Sequence, residues 1–233
     1  MKNIRYIFFD CMETIIDLFE LPTSSDYAFW SYANSGVEQY WQSFDDYLER
    51  YNIAKKLMND SYDTYQEYEL KQRIEVVVNA TESIKQDKKE VTNRLYDNYW
   101  NTYKSKCFIK EEVRDAVLQL KEKYRLAIVS NFMVMNGIEE LLNKNNMRNS
   151  FEFIVSSIGF GWRKPDPRIY KYAIDNSGCE AQEILFIGDD YENDYVAPRK
   201  SGMNSLWLNK FHEKRDDIDQ VHDFYEITQK LLG

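Results

Sequence analysis

Four short groups of residues carry most of the chemistry this sequence can offer. The first is Asp10-Cys11-Met12-Glu13-Thr14, directly after the apolar run Tyr6-Ile7-Phe8-Phe9. The second is Ser130-Asn131, which ends Leu126-Ala127-Ile128-Val129. The third is Lys164 within Arg163-Lys164-Pro165-Asp166-Pro167, and the fourth is Gly188-Asp189-Asp190-Tyr191-Glu192-Asn193-Asp194. Each is ordinary when taken alone. An Asp at a strand end is usually a turn or cap residue, a single Lys is a solvated charge, and an acidic cluster suits a helix start. Together they supply an aspartate already ionised at neutral pH, and so usable as an oxygen nucleophile, beside a hydroxyl, a cation and a cluster of metal-type carboxylates. Such a nucleophile needs no activating histidine. The only two, His212 and His222, lie away from these groups and read as surface or packing residues.

The elements that must position these groups follow from the apolar runs. Strands are expected at residues 4–9, 126–130, 152–156, 184–187 and 205–208, each rich in Ile, Val, Leu or Phe. Helical patterns fall between them at about 111–123, 135–145, 167–177 and 192–201, so strand and helix alternate as in a right-handed, doubly wound parallel sheet. All four chemical groups then sit at or just beyond the carboxyl ends of strands, the side on which such sheets bind ligands.

The stretch from about 18 to 105 reads differently. It has no strand series and carries Tyr, Trp and Phe at helical spacing, as at Tyr40, Phe44, Tyr47 and Tyr51, with Leu70, Ile74 and Val77 and then Val91, Leu95, Asn98 and Trp100 further on. Four helices are expected there, their aromatics mostly packing helix to helix. The division is therefore 1–17 with 106–233 as an α/β core, and 18–105 as an all-helical cap inserted after the first strand. Leaving from that strand, a cap would cover the crevice, exclude water and select substrate.

With the four groups in this order and a helical insertion after the first, the chain resembles the haloacid dehalogenase superfamily over nearly its whole length, including Ala197 to Met203 after the acidic group. The resemblance implies a Rossmann-like core and a hydrolase in which Asp10 attacks substrate, commonly through an aspartyl phosphate. It implies that Ser130 donates to a transferred phosphoryl oxygen, that Lys164 neutralises charge beside it, and that Asn131 is a supporting contact. It further implies a magnesium ion held by Asp10, the backbone carbonyl of Met12 and Asp189, with Asp194 in the same acidic set. Asp190 and Asp194, four apart, are expected to share a face of the following helix. Thr14 is expected to steady the loop after the nucleophile.

At one position the pattern departs from the family. Its phosphatases carry a second aspartate two residues after the nucleophile as general acid and base; here that residue is Met12, which moves no proton. Glu13 is expected to point to the other side if the chain alternates as in a strand. Such proton transfer contributes about 10²- to 10⁴-fold in rate. The sequence therefore favours a magnesium-dependent phosphohydrolase acting on a small phosphorylated metabolite and best with leaving groups that depart unprotonated. Carbon-halogen hydrolysis of the haloacid dehalogenase type is an alternative, as is a weakened binding or regulatory protein.

Composition limits the rest. A net charge of −9 argues against a nucleic-acid partner, since phosphate backbones are held by Lys and Arg. No apolar run approaches the roughly 20 residues that span a bilayer, and no signal-peptide pattern follows Met1, so no membrane association is expected. Cys11, Cys107 and Cys179 are odd in number and far apart, which suits a cytoplasmic protein without disulfides or zinc. A monomer or homodimer is equally compatible.

Overall fold

The structure, a computed structural model, describes residues 3–215 and 218–233. Along the chain, β1 (Tyr6–Phe9) and β2 (Asp17–Leu18) precede α1 (Ser24–Tyr32), α2 (Phe44–Ser61), α3 (Leu70–Asn79) and α4 (Lys88–Lys106). β3 (Cys107–Phe108) pairs with β2, and α5 (Glu111–Lys121), β4 (Arg125–Ser130), α6 (Gly137–Lys144) and β5 (Phe153–Ser156) follow. The chain continues through α7 (Ser157–Phe160), α8 (Pro167–Ser177), β6 (Ile184–Gly188), a π-helical turn (Tyr191–Val196) and α9 (Ala197–Lys200). It ends with β7 (Asn204–Leu208), β8 (Gln220–Val221) and α10 (Phe224–Leu232).

Chain contacts separate two compact units, Met1–Asp17 with Phe108–Gly233, and Leu18–Cys107. The first holds a six-stranded sheet in the order β5-β4-β1-β6-β7-β8, parallel throughout. β1 is buried at every residue, as a central parallel strand covered on both faces must be. On one face Tyr6, Phe8, Val129 and Phe186 pack with Ile169, Tyr170 and Ala173 of α8. On the other, the Phe9 ring stacks on Phe224 of α10 at 6.1 Å. Because β4 and β6 flank β1, successive crossovers leave it in opposite directions, which opens a crevice at its carboxyl end. Phe9 is in register with Ile128 and with Ile187, so Asp10, one residue on, emerges at that edge.

All five expected strands form. The expected helix at 192–201 does not run as one α-helix: it is the π turn followed by the four-residue α9, with Pro198 near the start of the latter. The wider turn lets Asp194 face inward, and such turns collect at functional sites. α10 and β8 had no counterpart in the sequence reading.

The second unit contains α1 to α4, with α1 and α3 each packed on α4 and α2 on α3. Tyr47 and Tyr51 are buried, while Tyr40 and Phe44 are half-buried. Asn98 of α4 donates its amide to the carbonyls of Trp30, Ser31 and Ala33 at 2.9, 3.1 and 2.8 Å, satisfying acceptors that the end of α1 leaves open. Arg73 is buried with its guanidinium donating to the hydroxyls of Tyr51 and Tyr68, at 3.2 and 2.5 Å. Among the described residues no helix is long and apolar enough to cross a membrane.

Candidate active site

Asp10 is anchored through its backbone, where its N–H donates to the carbonyl of Ile187 at 3.0 Å. The next residues close a tight turn, in which the N–H groups of Ile15 and Ile16 both donate to Cys11 at 2.9 Å. Glu13 takes a left-handed conformation, φ 55°, so the alternation expected from an extended strand does not hold there. The charge of Glu13 acts on Lys110. The Met12–Ile16 bridge is closed by Ile16 N–H to Cys11 and by Glu13 N–H to Ile16, and does not engage the Met12 carbonyl.

Lys164 joins the separated groups. Its Nζ donates to Asp10 Oδ1 at 2.7 Å and to Asp194 Oδ1 at 2.6 Å, and all three side chains are buried. Burial alone would drive this lysine towards neutrality, but Asp10 and Asp194 outweigh it and hold its pKa above the ordinary value. Asp194, fully buried, also accepts from the backbone N–H of Asp190 at 3.0 Å. Burial pushes its carboxyl well above the usual range even though Lys164 opposes this.

Asp189 is held from two sides. Thr14 donates its hydroxyl to Oδ1 at 3.1 Å, and the indole N–H of Trp207 donates to the Asp189 carbonyl at 2.8 Å. Burial first, and then the charge of Asp10, push its carboxyl up to about 7 against the opposing effects of Lys210, Thr14 and Lys164. Asp10, Asp189 and Asp194 each offer an oxygen within 4.8 Å of the others. Asp190 instead turns its carboxylate to the N–H of Asn193 at 2.9 Å, so it does not share a coordinating face with Asp194.

Ser130 ends β4 buried and in register with Ser156. Asn131 spends one donor and one acceptor on Lys164: Nδ2 donates to the Lys164 carbonyl at 3.0 Å, and Oδ1 accepts from its N–H at 2.7 Å. Sequence reasoning missed Asp17, a buried carboxylate that accepts Lys210 on one oxygen at 2.7 Å and Lys110 on the other at 3.0 Å. Lys210 follows β7 by two residues, and its place beyond a strand's carboxyl end was the available signal.

A family model for haloacid dehalogenase-like hydrolases matches residues 37–208, and the chain belongs to that family. The matched span contains Ser130, Lys164, Asp189 and Asp194 and begins after Asp10. Over 86 residues the chain is 39% identical to haloacid dehalogenase-like hydrolase domain-containing protein 3 of Bos taurus, covering 37% of this chain and 34% of that protein. Over 107 residues it is 26% identical to glyceraldehyde 3-phosphate phosphatase of Methanothermobacter thermautotrophicus, covering 45% of this chain and 47% of the relative. The chain thus spans between about a third and a half of the length of these relatives. A 2-haloacid dehalogenase from Pseudomonas syringae pv. Tomato shares the fold, with TM-score 0.77, 16% identity and 98% of each chain covered.

Proposed function

We propose that this chain is a magnesium-dependent phosphohydrolase for a small phosphorylated metabolite, with Asp10 as nucleophile. The observation that carries the reading is the Lys164 ammonium bridging Asp10 and Asp194 with Asp189 in the same cluster. Three carboxylates share one ammonium, and any negative charge beyond the one it offsets is buried, costly and repels a phosphate dianion. The donor set is hard carboxylate oxygen, which suits magnesium, and Asp10, Asp189 and Asp194 are the side chains that would hold it, joined by the Met12 backbone carbonyl that the family resemblance implies. When bound, the ion neutralises phosphoryl charge and draws the substrate to the nucleophile.

In this reading an Asp10 oxygen attacks phosphorus, the bond from phosphorus to the leaving oxygen breaks, and water then hydrolyses the aspartyl phosphate. Lys164 keeps one Asp10 oxygen oriented and offsets charge as the phosphoryl group arrives, while the Ser130 hydroxyl donates to a phosphoryl oxygen. With Met12 where a proton donor would stand, the leaving group departs as an anion or takes its proton from water, so acyl and aryl phosphates are favoured over alkyl ones. The helical unit serves as the substrate-selecting cap. The chain's three cysteines, Cys11, Cys107 and Cys179, are all buried, which suits a reducing, cytoplasmic compartment.

Met12 also favours carbon-halogen hydrolysis, which needs no acid at that position. Phosphate release from aryl, acyl, sugar and nucleotide phosphates, with and without magnesium and with Asp10→Asn as control, separates the two. Magnesium-dependent release lost in the variant is the expected result. Chelator-insensitive halide release from 2-haloacids, with no phosphate release, would overturn the proposal.

A further inference from the structure

Lys164 lies in irregular chain, three residues before α8 and outside every strand ladder. A peptide in such a loop has no neighbouring strand to fix it, yet this one must aim an ammonium at two carboxylates with both contacts under 2.8 Å. Asn131 supplies what a strand would supply, one donor and one acceptor spaced to pair with the carbonyl and N–H of a single residue. On the far side, Asp166 accepts the backbone N–H, Nε and Nη2 of Arg168 at 2.9, 2.8 and 2.7 Å, and the Arg168 guanidinium stacks on Trp162. The loop is thus pinned after Lys164 by its own residues and at Lys164 by Asn131.

We infer that Asn131 is a positioning residue that acts on the reaction through Lys164, by fixing the backbone from which the ammonium reaches Asp10 and Asp194. The inference rests on the phosphohydrolase reading for its kinetic test and on geometry alone for its spectroscopic one. The competing role is direct contact with substrate, because an amide has a second N–H to offer.

The two roles differ in how Asn131 and Lys164 couple. Asn131→Ala is expected to lower kcat by about 10²-fold, the scale of a displacement of about 1 Å in a catalytic group. In a Lys164→Ala background the same change is expected to alter kcat by less than about 2-fold, because nothing is left to position. A full additive loss in that background would overturn the inference. Thermal melting should shift equally in both backgrounds, since the clamp binds the Lys164 backbone whichever side chain is present.

A readout free of turnover is the 15N-lysine spectrum of the full chain. The buried ammonium bridging two carboxylates should give a slowly exchanging signal, assigned by its loss in Lys164→Ala, that also disappears in Asn131→Ala. Persistence of that signal in folded Asn131→Ala would overturn the inference. Its loss in a chain without phosphatase turnover would sustain positioning and reject the phosphohydrolase reading. Should Asn131→Ala not fold, Asn131→Ser, which cannot reach both partners, is measured in the same way.

Discussion

The Cα of Gly188 lies against the side chain of Asp194, so closely that a Cβ at residue 188 would stand 2.7 Å from Asp194 Cβ. Space for the inward turn of Asp194 therefore depends on glycine here. Gly188→Ala is expected to push Asp194 away from Lys164, with a destabilisation of about 1–3 kcal/mol, as for other overpacked sites. Urea denaturation measures the destabilisation, and phosphate release measures the displacement of Asp194. Unchanged values in both would show that Asp194 has room to relax.

Lys164 has two buried carboxylate partners and no substitute. In Lys164→Met, Asp10 and Asp194 face each other without a counter-charge, and removal of one partner from a buried pair costs about 3–5 kcal/mol. The loss should be largest near neutral pH without magnesium. It should shrink on acidification, as protonation removes the repulsion. Equal destabilisation at pH 5 and pH 8 would point to lost packing rather than lost charge.

Asp189 gives a pH dependence of its own. Its carboxyl is raised from 3.8 to about 7 in the folded chain, so between those values the native state binds a proton that the unfolded state has released. Stability from this group is present at low pH and is lost as pH rises towards 7 in cation-free protein. Magnesium competes with that proton, so the thermal stabilisation it provides should grow from about pH 5.5 to 7.5. A stabilisation independent of pH would show that Asp189 is already ionised throughout.

Much of this site is legible in the sequence because parallel strands deliver their carboxyl ends to one edge. Once 4–9, 126–130 and 184–187 are read as strands, Asp10, Ser130 and Asp189 meet there without further information. Two features escape for physical reasons. Asp190 and Asp194 follow an α-helical spacing in sequence, but the π turn changes the period and separates their roles. Asp17 and Lys210 pair across 193 residues, and no local pattern records which lysine a buried aspartate will meet. Asn131 was visible as a residue near the site. Its pairing with the Lys164 peptide, 33 residues away, depends on the path of a loop that periodicity does not describe.

Asp17 is the residue on which Lys110 and Lys210 converge, each on its own oxygen. Lys210 also lowers the proton affinity of Asp189. Lys210→Met should therefore leave Asp17 with Lys110 alone and make the acidic cluster more negative. The expected outcome is a lower Tm together with a magnesium half-saturation that is unchanged or lower, measured by titration calorimetry. Weakened magnesium binding would mean that the lysine holds the site's shape more than its charge.

Met12 offers the most direct test of what limits turnover. It is half-buried two residues after Asp10, in a turn whose backbone bonds run through Cys11, Glu13 and Ile16 rather than through Met12 itself. A substitution there need not disturb the turn. Met12→Asp adds a carboxyl that protonates a leaving oxygen and then accepts a proton from water, a contribution of about 10²- to 10⁴-fold. The gain should be greatest for alkyl phosphates, whose leaving groups need the proton, and small for nitrophenyl phosphate, whose leaving group does not. Equal gains on both substrates would indicate an electrostatic or structural effect. No gain on either would show that the missing acid is not what limits this site.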